Sequence, residues 1–242
     1  MRVIPRLLCF ALLCWVRPVV AQDLNTLLSH FEAQHELEPK KQILKEILRN
    51  YHDSAGPGLL KIASHTEDSQ TKWLVIAALG KLEFREAAPF VVSCLHDDDP
   101  KVRGHSAFAL SSLKEFSAIP TLIELIRNEH DPEVVKWTAV TLADLRAMDA
   151  LPVLKSRAND GPVETRMAII TSIGRLGGRN EMPYLATFLD DKDGFVAMSA
   201  AKMMEGIAGK TDLDWCGKDP SGWEEHIQKV KTWWQRHSST WK

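Results

Sequence analysis

Histidine is the side chain best suited to bind a metal or move a proton near neutral pH, and this sequence has nine. His30 and His35 are five apart on an amphipathic stretch. That misses the i, i+4 spacing that puts two imidazoles on one helical face for zinc. His65 and His96 recur 31 residues apart, which puts equivalent positions of packed helices about 10 Å from each other, too far to share an ion. The turn "LDDKDGF" has Asp191, Asp193 and Gly194 placed like part of a calcium loop, but Leu189 stands at the first ligand position and Ala200 where the closing glutamate belongs. There is no Gly-x-Ser-x-Gly elbow, no phosphate-cradling glycine loop and no His-Glu-x-x-His. No metal, no cofactor and no catalytic residue is expected, and the chain is read as a non-enzyme.

Cysteine chemistry depends on compartment. Arg2 and Arg6 precede an apolar run from Leu7 to Val16, and Val19-Val20-Ala21 supplies small residues ahead of Gln22. That is the layout of a secretory signal peptide over residues 1–21. The run is too short to span a bilayer, which takes about 20 apolar residues. Cleavage near Ala21 would deliver the chain to the periplasm or beyond, with no membrane span. Cleavage also removes three arginines and no acid, leaving 27 Lys+Arg against 32 Asp+Glu. Nucleic acid is a poor partner for so acidic a chain. Cys94 and Cys216 survive maturation. Cys94 is expected to be a packed thiol. The two lie on the order of 35 Å apart if the intervening helices stack at ordinary spacing, so no internal disulfide is expected. Cys216 is left to pair with another chain or to stay reduced.

The elements that hold these residues come in a repeat. Prolines recur at Pro57, Pro89, Pro120, Pro152 and Pro183, each leading into an apolar stretch such as "PFVVSCL" or "PYLATFL". Proline is tolerated in the first turn of a helix, where its missing N–H has no partner to lose. Between the prolines, "TKWLVIAALGKL", "VRGHSAFALSSL", "VVKWTAVTLADL", "TRMAIITSIGRL" and "VAMSAAKMMEGI" align without gaps. Their columns Ile76/Ala107/Ala139/Ile170/Ala201, Leu79/Leu110/Leu142/Ile173/Met204 and Leu82/Leu113/Leu145/Leu176/Ile207 are apolar and three apart, one stripe of a helix. Asp68, Asp99, Asp131 and Asp193 stand ahead of them as N-caps, with Pro162 interrupting the column. An earlier pair, "KKQILKEILRNY" and "PGLLKIA", fits more loosely. No pair can bury both its faces alone, so the units must stack.

The Asp-x-x-[Val/Thr] starts, the Leu79-Gly80-Lys81-Leu82 and Ile173-Gly174-Arg175-Leu176 segments and the proline resemble HEAT repeats over roughly residues 40–210. The short variety of phycobilisome-lyase-type and bacterial HEAT proteins is the most similar. The resemblance implies an all-α α-solenoid of five to six HEAT-like helical hairpins with capping helices at both ends. The expected layout is residues 22–38 as N-terminal cap, 39–210 as repeat array and 211–242 as a Trp-rich C-terminal cap. It also implies binding to a protein or peptide partner rather than chemistry. The relatives that attach chromophores would make a lyase-like or chromophore-handling role the alternative, against which the export signal argues. A structural subunit of an envelope assembly is a further alternative.

By the same resemblance the proline-started helices line the concave face. Phe90, Thr121, Val153 and Tyr184 form one column there, and Ser93, Glu124, Ser156 and Thr187 a half-polar one three residues on. These eight are the expected partner-binding wall, with ordinary inter-repeat packing as its competitor. At the end of the chain, Trp223, Ile227, Val230 and Trp234 fall on one helical face with Ser221 as a possible N-cap, and Trp233 lies beside them. A stack needs such a lid over its last apolar face. Trp241 falls outside that stripe.

Overall fold

The computed structural model describes residues 23–52, 54–209 and 222–241, and every element among them is helical. The expected leader, Trp215, Cys216 and Ser221 lie outside the described residues, and with them the Cys94–Cys216 separation and the Ser221 cap.

Two helices, α1 (Leu24–Ala33) and α2 (Leu37–Asn50), open the fold, so the expected boundary at residue 38 falls in the first turn of α2. Then α3 (Ala55–His65) pairs with α4 (Ser69–Lys81), and four more first helices follow: α6 (Pro100–Leu113), α8 (Pro132–Asp144), α10 (Val163–Gly177) and α12 (Gly194–Ala208). Shorter second helices alternate with them: α5 (Ala88–Ser93), α7 (Ile119–Asn128), α9 (Leu151–Arg157) and α11 (Met182–Ala186). The first helices pack in series, α4 on α6 on α8 on α10 on α12. The chain belongs to an all-α solenoid, as the repeat requires.

Local chemistry sets the helix ends. Asp68, Asp99, Asp131 and Asp193 each accept first-turn N–H groups, at 2.7 to 3.3 Å, while α10 begins after Pro162 with no side-chain cap. Glu83, Lys114 and Arg146 follow α4, α6 and α8 in the left-handed region, with φ of 51°, 53° and 55°. This reverses the chain into a 3-10 turn, after which Pro89, Pro120, Pro152 and Pro183 stand second in their helices. Pro57 differs in standing third in α3.

The stripe predicted from the columns is the core. Ile76, Ala107, Ala139, Ile170 and Ala201 are fully buried, as are Leu79, Leu110, Leu142, Ile173 and Met204. Gly80 lets α4 approach α6 closely, since a Cβ there would lie 2.9 Å from the Ala109 Cβ and 3.0 Å from its Cα.

A polar ladder that the apolar columns did not reveal fastens one unit to the next. Two residues ahead of three cap aspartates sits an acid that accepts the cap's N–H: Asp97, Glu129 and Asp191. Each also meets a base on the preceding first helix, Lys72 with Asp97 at 2.8 Å, Arg103 with Glu129 at 2.7 and 3.0 Å, and Arg166 with Asp191. Burial works against charge on Asp97 and Glu129, yet the hydrogen bonds from Lys72, Arg103 and the turn N–H groups outweigh it and hold both carboxyls below their usual range. In α8 the base position is Val135. There Arg157 reaches back instead, donating to the carbonyls of Ile126, Arg127 and Glu129 at the end of α7.

Both ends are covered. Leu27 and Phe31 of α1 are buried against α2 and α3. At the other end α13 (Trp223–His237) lies on α12 with Val230 and His226 buried. Trp223 meets Phe195 edge-on at 4.9 Å, Lys231 pairs with Asp190 at 2.6 Å, and Trp233 and Trp234 pack half-buried against the core.

Candidate functional site

The exposed face of the first helices is aromatic at one end of the stack. In the aligned sequence, Trp73 of α4, Gly104 of α6 and Lys136 of α8 share one column, and His105 and Trp137 share the next. Indole and imidazole stack across the units, Trp73 on His105 with centroids 4.8 Å apart and planes 14° from parallel. Phe108, 41 % exposed, meets Trp137 edge-on at 4.9 Å, and the Lys136 ammonium lies 5.0 Å above the same indole. The later units carry no ring in these columns, with Met167, Ala168 and Thr171 in one and Met198, Ser199 and Lys202 in the next. The aromatic patch is therefore confined to the units of α4, α6 and α8.

Because α6 carries a glycine where its neighbours carry Trp73 and Lys136, the face dips. The dip is a cleft of about 490 Å³ whose walls include Trp73, Trp137 and Leu37 of α2, with Gly104 in its lining and Lys101 and His105 beside it. Packing keeps Trp73, His105 and Trp137 half-buried rather than free in solvent. Burial pushes the His105 imidazole below its ordinary pKa, and the positive charge of Lys101 adds to the effect. The ring is held neutral at pH 7, which suits stacking on an indole. Rigid aromatic rings with few torsions to lose are well suited to recognition.

The family model for HEAT repeats matches residues 56–143 and 119–205. The chain belongs to the HEAT-repeat family. Among solved structures, a chain from the complex of CpcE and CpcF of phycocyanin lyase from Nostoc sp. PCC7120 is similar at 18% identity with a TM-score of 0.60, over 86% of each chain. An engineered protein is similar at 18% identity and a TM-score of 0.52, over 78% of this chain and 97% of that one. Identities this low speak for the fold alone. No curated protein matches in sequence.

On the other side of the HEAT array, the eight residues expected to form a binding wall fall into distinct settings. Val153 is only 7 % exposed and belongs to the core, a correction to its expected place in the wall: it turns inward beside Leu154. Phe90, Thr121 and Tyr184 are half-buried, and the Tyr184 hydroxyl donates to the Lys155 carbonyl at 2.9 Å. Ser93, Ser156 and Thr187 are exposed, but each hydroxyl donates to the carbonyl three residues earlier in its own helix. Glu124 is exposed and accepts from Asn128.

Other residues with chemical promise have structural work. Asp191 and Asp193 hold a turn and a helix start. His65 Nδ1 lies 2.8 Å from the Lys61 carbonyl at the end of α3. Cys94 is buried, and burial raises its thiol pKa, so it is a poor nucleophile. The aromatic face lies on the first helices, outside the second-helix columns that the resemblance marks for binding. Its signal in the sequence is a set of columns that hold rings in the units of α4, α6 and α8 and none in the later two.

Proposed function

We propose that this chain is an exported adaptor that holds a protein or peptide partner on its solenoid surface and does no chemistry on it. The observation that carries the reading is the run of Trp73, His105, Phe108 and Trp137 across three consecutive units, braced by mutual ring contacts and left facing outward. One side of Trp73 packs on the core, and the ring surface left outward is what partner binding would bury. The leader-like residues 1–21 support export. The second-helix column of Ser93, Glu124, Ser156 and Thr187 is the other surface available for docking, with its hydroxyls already engaged.

Affinity capture from envelope extracts with the mature chain, its Trp73→Ala/Trp137→Ala variant and its Ser93→Arg/Glu124→Arg variant tests this. A prey lost with the tryptophans and kept by the second-helix variant is the expected outcome. A prey kept by a folded Trp73→Ala/Trp137→Ala protein rejects the aromatic face.

One observation favours a second reading. The same flat walls would accept a planar conjugated molecule, and one similar structure comes from a phycocyanin lyase complex. Visible absorbance travelling with the purified chain, and lost from the tryptophan variant, would favour chromophore handling over the adaptor.

A further inference from the structure

The aromatic cleft is specific in what it leaves unengaged. Among the described residues, neither the Trp73 nor the Trp137 indole N–H makes a hydrogen bond, and neither is sequestered from solvent. The exposed Lys101 ammonium forms no ion pair among the described residues. The carboxylates nearby are already occupied. Glu133 holds Lys136 at 2.6 Å, and Asp131 accepts the first N–H groups of α8 at 2.9 and 3.1 Å. The cleft thus offers flat apolar walls, two indole donors and the Lys101 ammonium, beside Lys41, which pairs with Glu38 at 2.8 Å, and the engaged carboxylates of Asp131 and Glu133.

The occupant that fits must be apolar and rich in acceptors, and must bring few N–H groups that would go unmatched. A helix spends its carbonyls internally, and an ordinary extended strand brings an N–H at nearly every residue. A polyproline II segment leaves its carbonyls outward and unbonded. Each proline in it also removes an N–H and presents a flat ring to an aromatic wall. We propose that the cleft between Trp73 and Trp137 receives a proline-rich extended segment of the partner, bearing an acidic residue that meets Lys101. The indole N–H groups donate to backbone carbonyls of the segment, prolyl rings lie against the indoles, and Gly104 leaves the floor open. This rests on the adaptor reading and names the partner's chemistry at the same surface.

Gly104 supplies the sharpest test. A Cβ there would sit 3.7 Å from Trp137 Cδ1 and from Val134 Cγ2, in ordinary contact, whereas a longer side chain would grow into the cleft. The probe is a synthetic proline-rich decapeptide with glutamate at every fourth position, titrated into the 15N-labelled mature chain. The control is a peptide of equal charge with every proline replaced by glycine or serine. The expected result is a saturable shift of the Trp73 and Trp137 indole N–H resonances with the first peptide only. Gly104→Leu should abolish the shift and Gly104→Ala should retain it. Lys101→Gln, on the exposed surface and harmless to the fold, should weaken binding roughly three- to tenfold, as for loss of one charge-assisted contact. A proline-free analogue without glutamate should show no binding.

Equal shifts with the glycine/serine peptide, no shift at millimolar proline peptide, or undiminished binding by a folded Gly104→Leu chain would each overturn the inference. Failure here is distinguishable from failure of the adaptor reading. If the peptide does not bind but the captured prey is still lost with Trp73→Ala/Trp137→Ala, the surface stands and only its proposed occupant falls. If the prey survives that double variant, the surface itself is wrong.

Discussion

Two side chains show how local setting outweighs residue type. His105 has a folded pKa held below the ordinary imidazole value, so the fold favours its neutral form. Its contribution to stability is present above the unfolded pKa of about 6.5 and is lost as pH falls through the lower folded pKa. His105→Phe keeps a ring on Trp73 but cannot take up the proton. Its melting temperature should therefore decline less than the wild type's between pH 7.5 and 5, and parallel declines would remove His105 from the account. The ladder acids keep their charge despite burial, which by itself would raise their pKa. Glu129, with its side chain 6 % exposed, holds its charge because Arg103 and two turn N–H groups face it. Arg103→Met should cost about 2–4 kcal/mol, since it strands a mostly buried charge, and urea unfolding would read this directly. A loss under about 0.5 kcal/mol would reduce the pair to a surface contact. None of this was visible in the columns. The repeat alignment marks Lys72, Arg103 and Arg166 as one position, but nothing in the sequence says which acid each base reaches.

Among the helices, the same residue type plays opposite parts in neighbouring turns. Gly80 and Gly104 both lie on first helices, and an alanine would favour helix at either place by about 1 kcal/mol. Space decides the sign. At Gly80 a new methyl would press on the Ala109 backbone of α6, so Gly80→Ala should destabilise by about 1–2 kcal/mol after the propensity gain. At Gly104 the added methyl meets only ordinary contacts, so Gly104→Ala should stabilise by about 0.5–1 kcal/mol. Thermal melts of the two variants moving in the same direction would contradict this view of the α4–α6 approach. The helix ends were more legible. Cap aspartates and first-turn prolines act within a single turn of chain, and all four expected cap aspartates form where the column places them. The second helices were legible in position but not in exposure. Val153 lies in the core beside Leu154, and a helix only seven residues long has little stripe from which to read which side is covered.

For the molecule as a whole, stacking creates a demand that only the ends must meet. An interior first helix finds a first helix on each side, whereas α12 is the last of the series, and α13 packs on it with Val230 and His226 buried. Trp233→Ala with Trp234→Ala should lower the melting temperature by several degrees, while binding at the distant aromatic cleft survives. Unchanged melting together with lost partner binding would make α13 a recognition element instead of a lid. The sequence by itself determined the all-α class, the repeat and its register, the core columns, the caps and the need for a terminal cover. Each of these follows from periodicity or from hydrogen bonding within a few residues, and the HEAT family follows from the same columns. Only the tertiary structure decided which rings stay at the surface. The Trp73–Trp137 cleft is built from side chains more than 60 positions apart, and it exists because α6 places Gly104 between them when three helices stack. Periodicity assigns a residue to a face of its own helix, but whether that face is covered depends on the size of the side chains its neighbours bring.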